Sequence, residues 1–147
     1  MKSLQQLLTQ DHKDCDLLLA ETESVVAKAE IATARANFRR FREAMERHMD
    51  AEEQILFPAF EARTGERLGP TEVMRREHQM MRDLLAKMDA ALTQQQAKQY
   101  LGLSETLLVL MQQHNVKEES VLYPMMDQQL NAEREAVLAR LRAAGIG

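Results

Sequence analysis

The sequence predicts an all-α fold: an antiparallel up-down-up-down four-helix bundle with an internal two-fold repeat, plus a short C-terminal helix. Three observations predict it. Ala, Leu, Glu, Gln, Arg and Met dominate, while three prolines and five glycines leave little turn material for a sheet. Apolar residues recur at helical spacing in four long stretches and one short one. A shift of 66 residues carries Asp11-His12 onto Glu77-His78, Leu18-Leu19-Ala20 onto Leu84-Leu85-Ala86, and the run from His48 to Pro58 onto that from His114 to Pro124. The 147 residues read as one domain, with repeat halves at about 3–66 and 69–130 and a tail helix at about 131–144.

Ser3 and Gln6 have the spacing of a capping box, and Leu7, Leu8, Cys15, Leu18, Leu19, Val25 and Val26 continue a stripe that predicts a first helix to about Glu30. Thr33 is the expected cap of a second helix, whose Phe38, Phe41, Met45, Ile55 and Leu56 bracket His48 and Glu52. It should reach Arg63-Thr64-Gly65, with Pro58 kinking it or ending its regular part. Gly69-Pro70 opens a third helix with Val73, Met74, Met81, Leu84, Leu85 and Met88 inward, stopping between Thr93 and Ala97. A fourth runs from about Lys98 with Leu107, Leu110, Met111, Val121 and Leu122 on its core face, and Pro124 repeats Pro58. Asn131 should cap the tail helix, with Val137, Leu138 and Leu141 inward and Gly145 ending it.

All four histidines fall into the repeat, as His12 with His48 and His78 with His114. Each half offers one isolated His and one His-x-x-x-Glu, and residues four apart on a helix are only about 40° apart around the axis and about 6 Å along it. His48 and Glu52 therefore share a face, as do His114 and Glu118. Imidazole and carboxylate on an apolar stripe are costly to bury unless a divalent metal compensates them. The symmetry assigns His12 and His48 to one ion and His78 and His114 to a second, with Glu52 and Glu118 bridging both. An oxo or hydroxo bridge would complete five ligands each and leave one position per ion open. By the same symmetry the two positions are equivalent.

Outside this set, Asp11, Glu77, Glu53 and Glu119 are candidates to orient the imidazoles from behind. Glu53 and Glu119 lie five residues from their histidines, about 140° around a helix, which points them away from the ions. Cys15, one turn from His12, is either a small buried hydrophobe or a thiol able to pass electrons to the centre. The ten methionines read as core filling, since thioethers suit copper(I) better than iron.

The net charge of −4 with interspersed signs argues against a nucleic-acid surface. No apolar run approaches a membrane span, the N-terminus turns polar too soon for a signal peptide, and one cysteine forms no internal disulfide. A cytoplasmic protein is expected, alone or as a homodimer.

From Asp11 to Pro124 these residues resemble the hemerythrin family, specifically its bacterial HHE cation-binding branch. That family's order of His, His-x-x-x-Glu, His, His-x-x-x-Glu is met by His12, His48 with Glu52, His78, and His114 with Glu118, including the Leu-aromatic-Pro endings at Pro58 and Pro124. The resemblance implies two non-haem iron ions in an oxo- or hydroxo-bridged centre, with manganese or zinc as substitutes. Oxygen-carrying members have a fifth histidine where this chain has Arg82, which argues against plain reversible oxygen carriage. The expected function is binding of dioxygen, nitric oxide or peroxide for sensing, storage or protection against oxidative and nitrosative stress. Its competitors are a di-iron oxidase or peroxidase, and a protein that delivers iron or repairs iron centres.

Overall fold

A computed structural model describes residues 2–147; Met1, counted above among the core-filling methionines, lies outside them. Among the described residues every regular element is helical. The elements are α1 (Leu4–Ala27), α2 (Ile31–Ala51), a π turn (Glu52–Leu56), α3 (Phe57–Thr64), α4 (Pro70–Thr93), α5 (Ala97–Lys117), a second π turn (Glu118–Leu122), α6 (Tyr123–Gln129) and α7 (Arg134–Ala143). Helix α1 packs against α2 and α5, and α4 packs against α5 and α2, which makes a helical bundle.

Local chemistry sets the ends of these helices. Ser3 and Gln6 form the capping box, with Ser3 Oγ accepting from the Gln6 amide at 3.1 Å and Gln6 Oε1 accepting from the Ser3 amide at 2.9 Å. Asp127 adds an anion to the same helix end, accepting from the amides of Leu4 and Gln5 at 2.8 and 3.1 Å. Helix α2 starts at Ile31 with no side-chain cap, so the expected cap at Thr33 is wrong. The tight turn from α1, with Ala29 in the left-handed region at φ 59°, already brings the chain into helical geometry two residues earlier. Gln95, 66 residues later, repeats this turn at φ 56°. Asn131 likewise does not cap the tail: α7 begins at Arg134, whose guanidinium donates to Asn131 Oδ1 at 3.3 Å instead.

The regular α-helix ends ahead of each proline, as expected at Pro58, and the arm continues as helix beyond it: α2 gives way to the π turn and α3, and α5 to the second π turn and α6. Pro58 has no N–H to donate to the carbonyl four residues back, and its ring crowds that carbonyl. The chain meets this with one π turn just upstream, and Pro124 has the same accommodation. Gly65 then ends α3 at φ 78°. Gly65→Ala should destabilise the protein by about 1 kcal/mol in urea unfolding, because a Cβ disfavours that conformation while nothing lies within 4 Å to clash with it.

Two apolar clusters fill the interior. One gathers Cys15, Leu19, Phe38, Phe41, Met81, Leu85, Tyr100 and Met111, and the other gathers Leu4, Leu8, Leu56, Phe57, Leu122, Tyr123, Leu138 and Leu141 from the opposite end. Helix α7 closes that second end over the first π turn. Val73 and Val121, expected inward, are 46 % and 58 % exposed; each sits one residue beside a core position, Met74 and Leu122, that takes the inward place.

Candidate metal centre

Between the two apolar clusters lies a polar layer. His12 on α1, His48 on α2, His78 on α4 and His114 on α5 are buried, and Glu52 and Glu118 have no exposure at all. Each glutamate is the first residue of a π turn, so the irregularity imposed by Pro58 and Pro124 falls where the carboxylates must turn inward.

Every imidazole is held from behind by a carboxylate. His48 Nδ1 meets Asp11 at 2.7 Å, His78 Nδ1 meets Glu53 at 2.6 Å, His114 Nδ1 meets Glu77 at 2.8 Å and His12 Nδ1 meets Glu119 at 2.7 Å. The repeat is visible here too: Asp11 and Glu77 serve the histidine 37 residues on. Glu53 and Glu119 face away from the centre and serve the neighbouring helix. With Nδ1 engaged, each ring directs Nε2 into the layer, and the carboxylate raises its basicity.

On the inner side, Glu118 Oε1 lies 3.1 Å from both His12 Nε2 and His114 Nε2. Glu52 Oε1 lies 3.1 Å from His78 Nε2 and 3.5 Å from His48 Nε2. The close approach of Glu52 Oε1 to His78 Nε2 is too poorly aligned for a hydrogen bond, so both atoms, together with Glu118 Oε2, are buried with no hydrogen-bond partner. Unpaired donors and acceptors this deep are expensive, and a cation among them would relieve the cost. Two sets converge closely enough to hold an ion: Glu52, His78, His114 and Glu118, and His12, His48 and Glu118. The donor set of imidazole nitrogen and carboxylate oxygen suits a borderline divalent metal such as iron.

Sequence reasoning missed Tyr123. Its hydroxyl donates to Glu52 Oε2 at 2.6 Å or Glu118 Oε1 at 2.9 Å, and stands 3.2 and 3.4 Å from Nε2 of His12 and His48. One hydroxyl proton can serve only one of these contacts. The signal lay in the repeat, where Tyr123 answers Phe57; Phe57 stacks on His78 with ring centroids 5.8 Å apart and brings no polar atom. The two halves are therefore not equivalent.

Electrostatics without metal follow from this packing. Burial opposes charge on His48, but Glu52, Asp11 and Glu118 outweigh it and hold its pKa well above the ordinary value. Burial likewise disfavours charge on His78, yet Glu52 and Glu53 raise it to about 9, and His114 is raised against its own burial by Glu118 and Glu52. For Glu52, burial favours protonation, and the charge of the adjoining His48 above all overrides it, leaving the carboxyl well below its usual range. Protons thus occupy the core where a cation would sit.

A cavity of about 20 Å³ adjoins this layer, room for roughly one water-sized molecule. Its ten lining residues are five pairs related by the 66-residue shift: His12 and His78, Cys15 and Met81, Met45 and Met111, His48 and His114, Met49 and Asn115. The methionines are thus core residues that also wall the site. Burial first, and then Asp11 and its acidic neighbours, push the Cys15 thiol up to about 12. It stays protonated at neutral pH, a poor electron or nucleophile source.

Arg82 places its guanidinium against Glu46, Asp50 and Glu53 at 3.0, 3.1 and 2.8 Å. No described helix is long and apolar enough to cross a membrane. Comparison with known proteins gives no matching curated protein and no matching solved structure. The family model of the hemerythrin HHE cation-binding domain matches residues 3–126, nearly the whole bundle and every histidine and glutamate of the polar layer. The chain therefore belongs to the hemerythrin HHE cation-binding family.

Proposed function

We propose that the protein is a non-haem iron protein holding two ions, one at His12 and His48 and the other at His78 and His114, with Glu52 and Glu118 shared. The ions bind dioxygen, nitric oxide or peroxide, for sensing, storage or protection. In this reading the chain is one domain of four long helices running up-down-up-down about a two-fold axis, since the Lys28–Glu30 and Gln94–Gln96 connections are too short to do other than reverse direction. The observation that carries the reading is the inward aim of four Nε2 atoms, each fixed by a carboxylate on Nδ1, beside a cavity sized for a very small ligand. Bound iron would supply open coordination positions and a change of oxidation state.

The cavity wall favours a binder over a peroxidase. Cys15, Met45, Met49, Met81 and Met111 are oxidisable sulfur centres lining it, and repeated peroxide turnover there would oxidise the protein's own wall. The test is iron analysis after loading, followed by titration of the reduced protein with nitric oxide. Two irons per chain and an optical change at stoichiometric nitric oxide are expected. One iron or none after loading, or spectra indifferent to nitric oxide, would sink the reading.

A further inference from the structure

Resting on that two-ion reading, the surroundings of the halves carry it a step further. Behind His78 and His114, both supporting carboxylates are shared with a cation: Glu53 accepts from Arg82 at 2.8 Å, and Glu77 is paired with Lys117. Behind His12 and His48, among the described residues, no Lys or Arg nitrogen lies within 4.0 Å of Glu119 or Asp11. The repeat shows what has changed: Asp16 stands where the other half has Arg82, and Ala51 where it has Lys117. Asp16 is exposed, so the difference at this position is the missing guanidinium rather than a buried extra charge. Arg82 is itself shared with Glu46 and Asp50, but their side chains are 32 % and 52 % exposed and screened by water, whereas its contact with Glu53 leads directly to the fully buried His78.

A carboxylate free of cations transmits more negative charge through its imidazole than one already neutralised. Tyr123 is an independent difference: its hydroxyl stands 3.2 and 3.4 Å from Nε2 of His12 and His48 and donates to Glu52 or Glu118, where the other half has only Phe57 stacked on His78. We propose that the two metal positions are graded, the one between His12 and His48 binding its ion more tightly, with Arg82 and Lys117 as the positioning residues that weaken the other. The duplicated scaffold has thus diverged into a permanent position and an exchangeable one.

Titration of the metal-free protein with cobalt(II), followed by its visible absorbance, tests this. Wild type should fill in two steps separated by about tenfold in affinity, the low end of what outer partners of a metal ligand contribute. His12→Ala should remove the tight step and keep the weak one; His78→Ala should do the reverse. Arg82→Gln with Lys117→Gln, on half-buried and exposed positions whose loss leaves the core intact, should tighten the weak step several-fold and leave the tight one unmoved. Indistinguishable steps, a first ion lost in His78→Ala, or a double variant that moves both steps alike would overturn the grading while leaving the two-ion reading standing. Failure to bind two cobalt ions would instead overturn that reading.

Discussion

Glu118→Gln should strip metal from both positions under conditions that load the wild type. Glu118 Oε1 is 3.1 Å from imidazoles of both halves, and Glu118 is the carboxylate common to the two converging sets. Glutamine keeps the volume but replaces the anion with a neutral amide and turns one oxygen into a donor aimed at the cation. The loss should exceed the roughly 10–100-fold that follows removal of an outer partner. Glu119→Gln supplies that comparison, because the Glu119 carboxylate is bonded to His12 Nδ1 of one half and its loss should weaken chiefly one position. Metal content by mass spectrometry under native conditions, with circular dichroism as the check on folding, reads both. A Glu119→Gln protein more depleted than Glu118→Gln would show that the fourth-helix ligand has been misassigned.

That contrast shows how the centre could be seen before the fold. The pairing His48 with Glu52 and His114 with Glu118 follows from helical spacing alone, and the 66-residue recurrence turns four isolated histidines into one constellation. The supporting carboxylates were also legible as candidates, but their partners were not: Glu53 reaches His78 and Glu119 reaches His12, on other helices, and only three-dimensional packing decides such pairings. Tyr123 escaped because a tyrosine in an apolar run reads as core. What distinguished it was its hydroxyl, which has meaning only once the buried Glu52 and Glu118 are opposite it. The same limit explains the missed caps at Thr33 and Asn131. A residue with good capping chemistry loses to a neighbouring turn when the turn, held at Ala29 or by the Arg134 contact, fixes where helical geometry begins.

The divergence of the halves bears on how a duplicated scaffold acquires direction. Identical ligand types at His12 and His78, or at His48 and His114, supply two like positions, and selection on residues that never touch an ion can then separate them. Asp16 against Arg82 and Tyr123 against Phe57 are such changes. The cavity keeps its five repeat-related pairs, three of them identical, while Cys15 answers Met81 and Met49 answers Asn115, so the wall has diverged less than the surroundings of the histidines.

The metal-free protein should become less stable as pH rises from about 6.5 to about 9. His78 has an ordinary pKa of 6.5 and a folded value of about 9, so between these the folded state binds a proton that the unfolded chain does not. A group raised in this way contributes its full stabilisation below 6.5 and loses it as pH climbs through 9; at 1.36 kcal/mol per unit, His78 alone accounts for about 3 kcal/mol. His48 and His114, also raised, act in the same direction. The acid side has the opposite sign, because Glu52, Glu53 and Glu77 are lowered and their contribution vanishes as pH falls below the ordinary carboxyl value of 4.5. For a chain of this size the alkaline loss corresponds to a fall in Tm of about 10 °C. A metal ion would take the place of those protons, so the loaded protein should show a nearly flat Tm from pH 6.5 to 9, and loading at pH 7 should release protons that a weakly buffered indicator detects. The two melting series run side by side decide the matter. A metal-free Tm that stays level or rises over that range would mean that the imidazoles are not the proton store the buried carboxylates make them, and a loaded protein whose Tm falls as steeply as the metal-free one would remove the argument that metal and proton compete for Nε2.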